Sequence, residues 1–348
     1  MIREDHGLAT ILQYENVAWF EDGAVRILDR RIYPREIRSV ICRNYGEVAQ
    51  AIRDMVTQSA GPYTAAGMGM VLAAYQMRYS EKVRTWEELQ VAAEVLSTAR
   101  PTTQNRMRQV TAGCLAVAKT ALDAGEDVSK AIFDHTIASL NRRYSIMERV
   151  GKNLADHFED DSVIMTQCYG ETIVGMMLRA CRARGVNPKF IVPETRPYLQ
   201  GARLTASVIS EMGFETTVIT DNMAAWAMEQ IGVNLFTSAA DTITIDGYVV
   251  NKVGTLQLAI LAECYGIPYY VTGMPDLDMR VQDIRIEQRN PEEVLSVFGQ
   301  RHTLPDVGAW YPAFDITPPK LITGVVTDQG ILSPDQLASY SPLQKSFY

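Results

Sequence analysis

Between residues 162 and 272, apolar segments of strand length alternate at close spacing with helical ones, and few folds accommodate that order. The strand-like segments are 162–166, 189–193, 216–220, 233–238 and 268–272. Between them lie an amphipathic stretch over 171–184 closed by Gly185, a second through Leu204 and Ile209 to Gly213, a short one over 224–231, and a helix after Gly254. Parallel neighbours need a crossover, and a helix is the usual crossover. The pattern therefore predicts an α/β domain, a Rossmann-like doubly wound parallel sheet with helices on both faces. The ligand site of such a sheet lies beyond the carboxyl ends of its strands.

The amino-terminal part reads differently. Short strands over 18–20 and 24–28 flank Asp22-Gly23, a turn signal. Helical spacing follows over 46–58, where Val48, Ala51, Ile52, Met55 and Val56 recur on one face, and then over 86–98, 104–123 and 127–158, with a break expected near Gly151. The expected organisation is a smaller domain of short strands and a helical bundle over 1–160, followed by the Rossmann-like domain over 161–348.

Composition narrows the function classes. With 33 Lys+Arg against 41 Asp+Glu, the net charge of -8 argues against coating nucleic acid or an anionic membrane. The five cysteines are scattered and odd in number, which fits reduced thiols rather than a disulfide framework. The start lacks the apolar stretch of a signal peptide, and no uncharged apolar run approaches the ~20 residues of a membrane span. A soluble, cytoplasmic protein is expected. Met68-Gly69-Met70 and Met176-Met177 read as packing residues.

Strand ends single out the candidate residues. Cys168 closes the first strand, Glu194-Thr195-Arg196-Pro197 the second and Asp241 the fourth, so all three face one crevice. Thr166-Gln167-Cys168-Tyr169-Gly170-Glu171 stands where a dinucleotide-binding fold would carry G-x-G-x-x-G, which disfavours a dinucleotide. The histidines are too scattered for a metal centre. A lone Cys at a strand end is commonly a small buried apolar residue, an Asp after a strand commonly a turn residue, and Arg196 could simply pair with a carboxylate. Asn251-Lys252-Val253-Gly254-Thr255 is more pointed, because a Lys and backbone N–H groups at a helix start make a ready phosphate site.

Longer motifs carry a resemblance. Glu194-Thr195-Arg196-Pro197-Tyr198-Leu199-Gln200-Gly201-Ala202-Arg203-Leu204-Thr205 resembles the methylthioribose-1-phosphate isomerases, as does Asn251-Lys252-Val253-Gly254-Thr255 with the Leu256-Gln257-Leu258-Ala259 that follows. Ala99-Arg100-Pro101-Thr102, Gly266-Ile267-Pro268 and Pro312-Ala313-Phe314-Asp315-Ile316-Thr317-Pro318 match as well. The wider family includes ribose-1,5-bisphosphate isomerase, 5-deoxyribose-1-phosphate isomerase and the regulatory subunits of translation initiation factor 2B. The resemblance implies a catalytic pair, Cys168 and Asp241. It implies phosphate and sugar contacts from Arg100, Gln200, Asn251 and Lys252, and from the Ser59 and Ala60 backbone. It further implies a homodimer, a small sugar phosphate as the only partner class, and no cofactor or metal.

Three departures surround the implied pocket. Gln58-Ser59-Ala60-Gly61-Pro62 stands where the family carries Arg-Gly-Ala-Pro, Cys168-Tyr169-Gly170-Glu171 replaces Cys-Asn-Ala-Gly, and Asp246-Gly247-Tyr248 replaces Asn-Gly-Asp. They point to a specialised branch, with 5-deoxyribose 1-phosphate or 5-methylthioribose 1-phosphate converted to the ribulose 1-phosphate by ring opening and hydrogen transfer from C2 to C1. Which of Cys168 and Asp241 is acid and which base, and whether a proton or a hydride moves, stays open at this level. The alternatives are a non-catalytic regulatory subunit like those of translation initiation factor 2B, and a ribose-1,5-bisphosphate isomerase in which Arg106 or Arg203 supplies the extra charge.

Overall fold

A computed structural model describes residues 3–100 and 104–343; Pro101 and Thr102 of the Ala99-Arg100-Pro101-Thr102 match lie outside them. Two compact units divide the chain between Ile146 and Met147, whereas the sequence pattern changes near residue 160.

In the first unit a short helix α1 (Tyr14–Val17) precedes a hairpin of β1 (Trp19–Glu21) and β2 (Ala24–Leu28), turned at Asp22-Gly23, with β3 (Ser39–Cys42) added antiparallel to β2. Asn44 caps α2 (Tyr45–Arg53), its side chain accepting the Glu47 N–H at 2.9 Å. The helix stops at Arg53, short of the expected residue 58, because Met55 turns to φ 59 and the Val56 N–H returns to the Ala51 carbonyl. Next comes α3 (Gly61–Gln76), a helix the periodicity does not announce. It is buried on nearly every side, so no polar face marks it, and Met68 and Met70 are packing residues within it. Then follow α4 (Lys82–Ser97), α5 (Gln104–Ala124) and α6 (Val128–Ala155), the last running through the dividing point.

The second unit holds the alternating pattern. Its elements are β4 (Val163–Gln167), α7 (Thr172–Arg184), β5 (Lys189–Pro193), α8 (Ala206–Glu211), β6 (Thr216–Ile219), α9 (Ala224–Ala227) and β7 (Leu235–Ala239). After them come β8 (Thr242–Ile243), β9 (Val249–Lys252), α10 (Thr255–Cys264), β10 (Tyr269–Thr272), α11 (Glu292–Leu295), the small hairpin β11 (Ser296–Val297) and β12 (Gln300–Arg301), β13 (Phe314–Thr317), β14 (Gly324–Thr327) and β15 (Gly330–Leu332). The main sheet has seven strands in the order β15-β14-β10-β7-β4-β5-β6, parallel except for β15. All five expected strands are in it. The chain starts at β4, moves outward through β5 and β6, then returns to β7 on the other side. That reversal between β4 and β7 is the topological switch point of a doubly wound fold.

Gly185 closes α7 in the left-handed region at φ 70. Gly151 does not break α6. A β-carbon there would come within 2.7 Å of the Met176 carbonyl carbon and the Met177 nitrogen, so the glycine lets α6 approach the α7 backbone. Phe236 of β7 and Tyr269 of β10 stack at 4.3 Å in the core, and the Tyr269 hydroxyl meets Ser238 Oγ at 2.6 Å.

Candidate functional site

The site forms where β4 and β7 end side by side. Gln167 pairs with Ser238 across these strands, so Cys168 and Asp241, one and two residues beyond their respective strands, open at the same edge of the sheet. Cys168 turns the chain in the left-handed region at φ 61, and its carbonyl accepts the Thr205 hydroxyl. The Asp241 N–H is fixed to the Val250 carbonyl at 2.9 Å. The Cys168 thiol lies within electrostatic reach of Asp241, Lys252 and Arg289.

Burial dominates the chemistry of that thiol and pushes its pKa up to about 11. Lys252 pulls against the rise and Asp241 adds to it. Cys168 keeps a partial opening to solvent, which works in the same direction as Lys252. With its pKa so raised, the sulfur is in the protonated, proton-giving form at neutral pH.

Antiparallel pairing of β8, β9 and β13 folds the Asn-Lys motif back over the end of β7. Asn251 and Lys252 thus lie on a strand, and both are buried. Lys252 Nζ donates to the Ala313 carbonyl at 2.8 Å and stands 4.8 Å from the Phe314 ring centre, 5.8 Å from Tyr311 and 6.0 Å from Tyr198. Asn251 Nδ2 donates to Thr255 Oγ1 at 3.1 Å, and that hydroxyl donates to the Lys252 carbonyl at 2.7 Å. The start of α10 departs from expectation. Asp315 accepts the N–H groups of Gly254 and Leu256, so these amides are already occupied by a carboxylate. Burial raises the Asp315 pKa to about 6, opposed by these two N–H donors and by Lys252.

The turn after β5 is held from below. Asp221 accepts the Thr195 N–H at 2.8 Å and the Arg196 N–H at 2.7 Å. Among the described residues the Arg196 side chain forms no salt bridge with a carboxylate; its guanidinium donates to the carbonyls of Pro197, Glu293, Val294 and Ser296. Arg203 likewise donates to the Tyr198 carbonyl, at 2.6 and 3.0 Å. Both arginines of this motif serve the fold. Gln200 is buried, and its Oε1 has no hydrogen-bond partner among the described residues.

Three expected contacts belong to the first unit. Ser59 adopts φ 57 just before α3, and Gln58 is buried. The loop is supported by arginines all the same, with Arg30 donating to the Gln58 carbonyl at 2.7 Å and Arg143 to the Ala60 carbonyl at 3.1 Å. Arg100 is buried just after α4.

One residue carries no sequence signal. Arg289 sits in an irregular stretch before α11, its side chain only 8% exposed. Its Nε donates to Glu287 at 2.7 Å, and its guanidinium stands 5.4 Å from the Phe314 ring centre and 5.6 Å from Tyr198. Nη1 and Nη2 are buried and meet no acceptor in strict hydrogen-bonding geometry among the described residues; the Tyr198 and Tyr311 phenols are the polar groups that face the guanidinium and interact with it at longer range. Periodicity cannot mark a residue outside regular structure.

A family model described as the initiation factor 2 subunit family matches residues 58–334. The chain belongs to that family. It is 36% identical to methylthioribose-1-phosphate isomerase 1 of Pseudothermotoga lettingae over 88% of this chain and 92% of that protein. It is 34% identical to 5-deoxyribose 1-phosphate isomerase of Moorella thermoacetica over 91% and 94%. The crystal structure of 5-methylthioribose 1-phosphate isomerase from Pyrococcus horikoshii superposes with a TM-score of 0.81 at 30% identity, covering 93% of this chain and 94% of that one.

Proposed function

We propose that the chain is an aldose–ketose isomerase acting on a 5-substituted ribose 1-phosphate, with 5-deoxyribose 1-phosphate and 5-methylthioribose 1-phosphate as the candidate substrates. The carrying observation is the placement of Cys168 and Asp241 at the ends of neighbouring strands, where the thiol feels the carboxylate directly. The family membership and the names of the curated relatives support the same reading.

A phosphate on the anomeric carbon blocks spontaneous ring opening, so the ring oxygen must be protonated as the C1–O4 bond breaks. In this proposal the Cys168 thiol gives that proton, which suits a sulfur whose pKa is raised by burial. Asp241 takes the proton of the C2 hydroxyl while hydrogen passes with its electron pair from C2 to C1, leaving a C2 ketone and a C1 methylene that bears the phosphate. The thiolate and the carboxylic acid then return to their starting forms by proton exchange. Lys252, Asn251 and Gln200 hold the phosphate and hydroxyl groups. The phosphate takes no part in bond making, so its binding energy serves to position C1 and C2. Arg100, Ser59 and Ala60 keep the phosphate role that the resemblance implies, and the proposal includes a cytoplasmic homodimer.

Arg203 is engaged at the Tyr198 carbonyl, which argues against its serving a 5-phosphate. Parallel kinetics on 5-deoxyribose 1-phosphate, 5-methylthioribose 1-phosphate and ribose 1,5-bisphosphate test the reading. Turnover of either of the first two supports it. No turnover of any leaves the regulatory-subunit reading, and preference for the bisphosphate overturns the substrate assignment.

A further inference from the structure

We infer that Arg289 is a substrate-phosphate ligand, its two Nη groups forming a fork that takes two oxygens of one phosphoryl group beside Lys252. The inference rests on the sugar-phosphate reading above and adds a residue that neither the sequence motifs nor the resemblance singled out.

A guanidinium in the interior normally finds acceptors for its donors, because each buried N–H without one forfeits its hydration. Arg289 satisfies Nε on Glu287 and leaves the outer pair of nitrogens with no acceptor in bonding geometry, in a side chain more than nine-tenths buried. That arrangement fixes the plane and direction of the guanidinium while keeping open the edge suited to a two-oxygen anion. Lys252 stands against two of the same rings, Tyr198 and Phe314. Two cations sharing aromatic walls in a buried site repel one another until an anion lies between them, and a phosphate carries two charges to meet them.

The thiolate of Cys168 is the rival anion, since Arg289 is felt at that sulfur. A single sulfur cannot fill both prongs of a planar fork, and burial keeps that sulfur protonated at neutral pH. The half-buried Tyr198 phenol and the buried Tyr311 phenol complete the wall, and the Tyr311 hydroxyl meets no partner in strict hydrogen-bonding geometry among the described residues. It adds a further polar group for the same phosphate.

The test uses the full chain with inorganic phosphate as probe, titrated calorimetrically into wild type, Arg289→Gln and Arg289→Lys. Circular dichroism and melting curves establish that each variant is folded. Arg289→Gln is expected to weaken phosphate binding about tenfold or more, since it removes both charge and fork. Arg289→Lys should fall between it and wild type, and remains informative if Gln fails to fold. With the sugar phosphate, KM should rise in parallel while kcat changes much less. Unchanged phosphate affinity in a folded variant overturns the inference. So does a fall in kcat with phosphate affinity intact, which would assign Arg289 to the thiol. If wild type binds phosphate through Arg289 yet turns over no sugar phosphate, the ligand assignment stands and the isomerase reading fails.

Discussion

The carboxylate of Asp315 accepts the Gly254 N–H at 2.7 Å and the Leu256 N–H at 3.1 Å, closing the turn that separates Lys252 from helix α10. The residue is paired across the small sheet with Asn251. Together these contacts tie a single half-buried carboxyl to the position of both residues of the Asn-Lys motif.

A pH dependence follows from that tie. Burial raises the Asp315 pKa from its ordinary 3.8 to about 6, so the folded protein holds this proton more tightly than the unfolded chain. Its contribution to stability is fully present below 3.8 and is lost as pH rises through about 6. Function runs the other way, because the ionised form accepts both N–H groups and attracts Lys252. Activity should therefore fall between pH 7 and pH 5, mainly through KM. The substrate phosphate also titrates near pH 6, so the check is a comparison with Asp315→Asn. That variant should keep the substrate's share of the acid limb and lose the protein's; superimposable profiles would remove Asp315 from the picture.

The state of the thiol can be read by alkylation. With a pKa of about 11, the Cys168 thiolate amounts to about one part in ten thousand at pH 7. Iodoacetamide should label Cys168 slowly at pH 7.5 and progressively faster toward pH 10, as peptide mass mapping would show. Lys252 lowers this pKa, so Lys252→Ala should slow the labelling further at a given pH. Fast labelling at neutral pH would mean that the sulfur rests as thiolate, and would reverse its assignment as the proton donor.

Much of the site is legible in the sequence because it follows from strand ends. Apolar runs as long as β4 and β7 stand out, and the doubly wound order makes the first and fourth neighbours. Cys168 and Asp241 then need only their places in the chain. The remainder depends on contacts too short or too irregular to leave a pattern. The strands β8, β9 and β13 have two to four residues each, yet their pairing turns Lys252 back toward the crevice. The same pairing brings Asp315 onto amides that the motif alone offers to a phosphate. Helix α3 escapes notice because it is apolar all round, and Arg289 because it lies in no regular element. Glu171 is a different case. It stands where the resembling family has glycine, and adopts φ 51 with its side chain fully buried beside the Cys168 turn. A β-carbon at such a backbone angle is costly, and strain of this kind concentrates at functional sites.

The pair proposed as catalytic makes the sharpest claim on activity. Cys168→Ala removes the proposed proton donor, and Asp241→Asn removes the proposed acceptor without changing its size. Each should lower kcat by about 10²–10⁴-fold, the range for a positioned acid or base. Melting temperature and phosphate affinity should stay near those of wild type. Near-normal turnover by either variant would exclude that residue from the reaction.

Lys252 offers a contrasting signature. Its ammonium is buried against aromatic rings and anchored by one carbonyl, and it is assigned to the phosphate. Lys252→Ala should therefore raise KM by the worth of a charged hydrogen bond, about 1.5–3 kcal/mol, or roughly ten- to 150-fold. An unchanged KM in a folded variant would exclude the contact.

Gly201 links the turn after β5 to stability. A β-carbon at this position would lie 1.9 Å from the Pro193 carbonyl oxygen and 2.8 Å from Thr195 Oγ1. The oxygen belongs to the backbone of β5 and cannot swing aside, so the turn itself would have to move. Overpacking of this kind costs about 3 kcal/mol, which for a unit of this size lowers Tm by roughly 6–12 °C. Gly201→Ala should show that loss in a thermal melt. Gln200 precedes the glycine and Thr205 anchors the Cys168 carbonyl four residues beyond it, so activity measured well below Tm should fall as well. A variant as stable and as active as wild type would mean that the turn has room the structure does not contain.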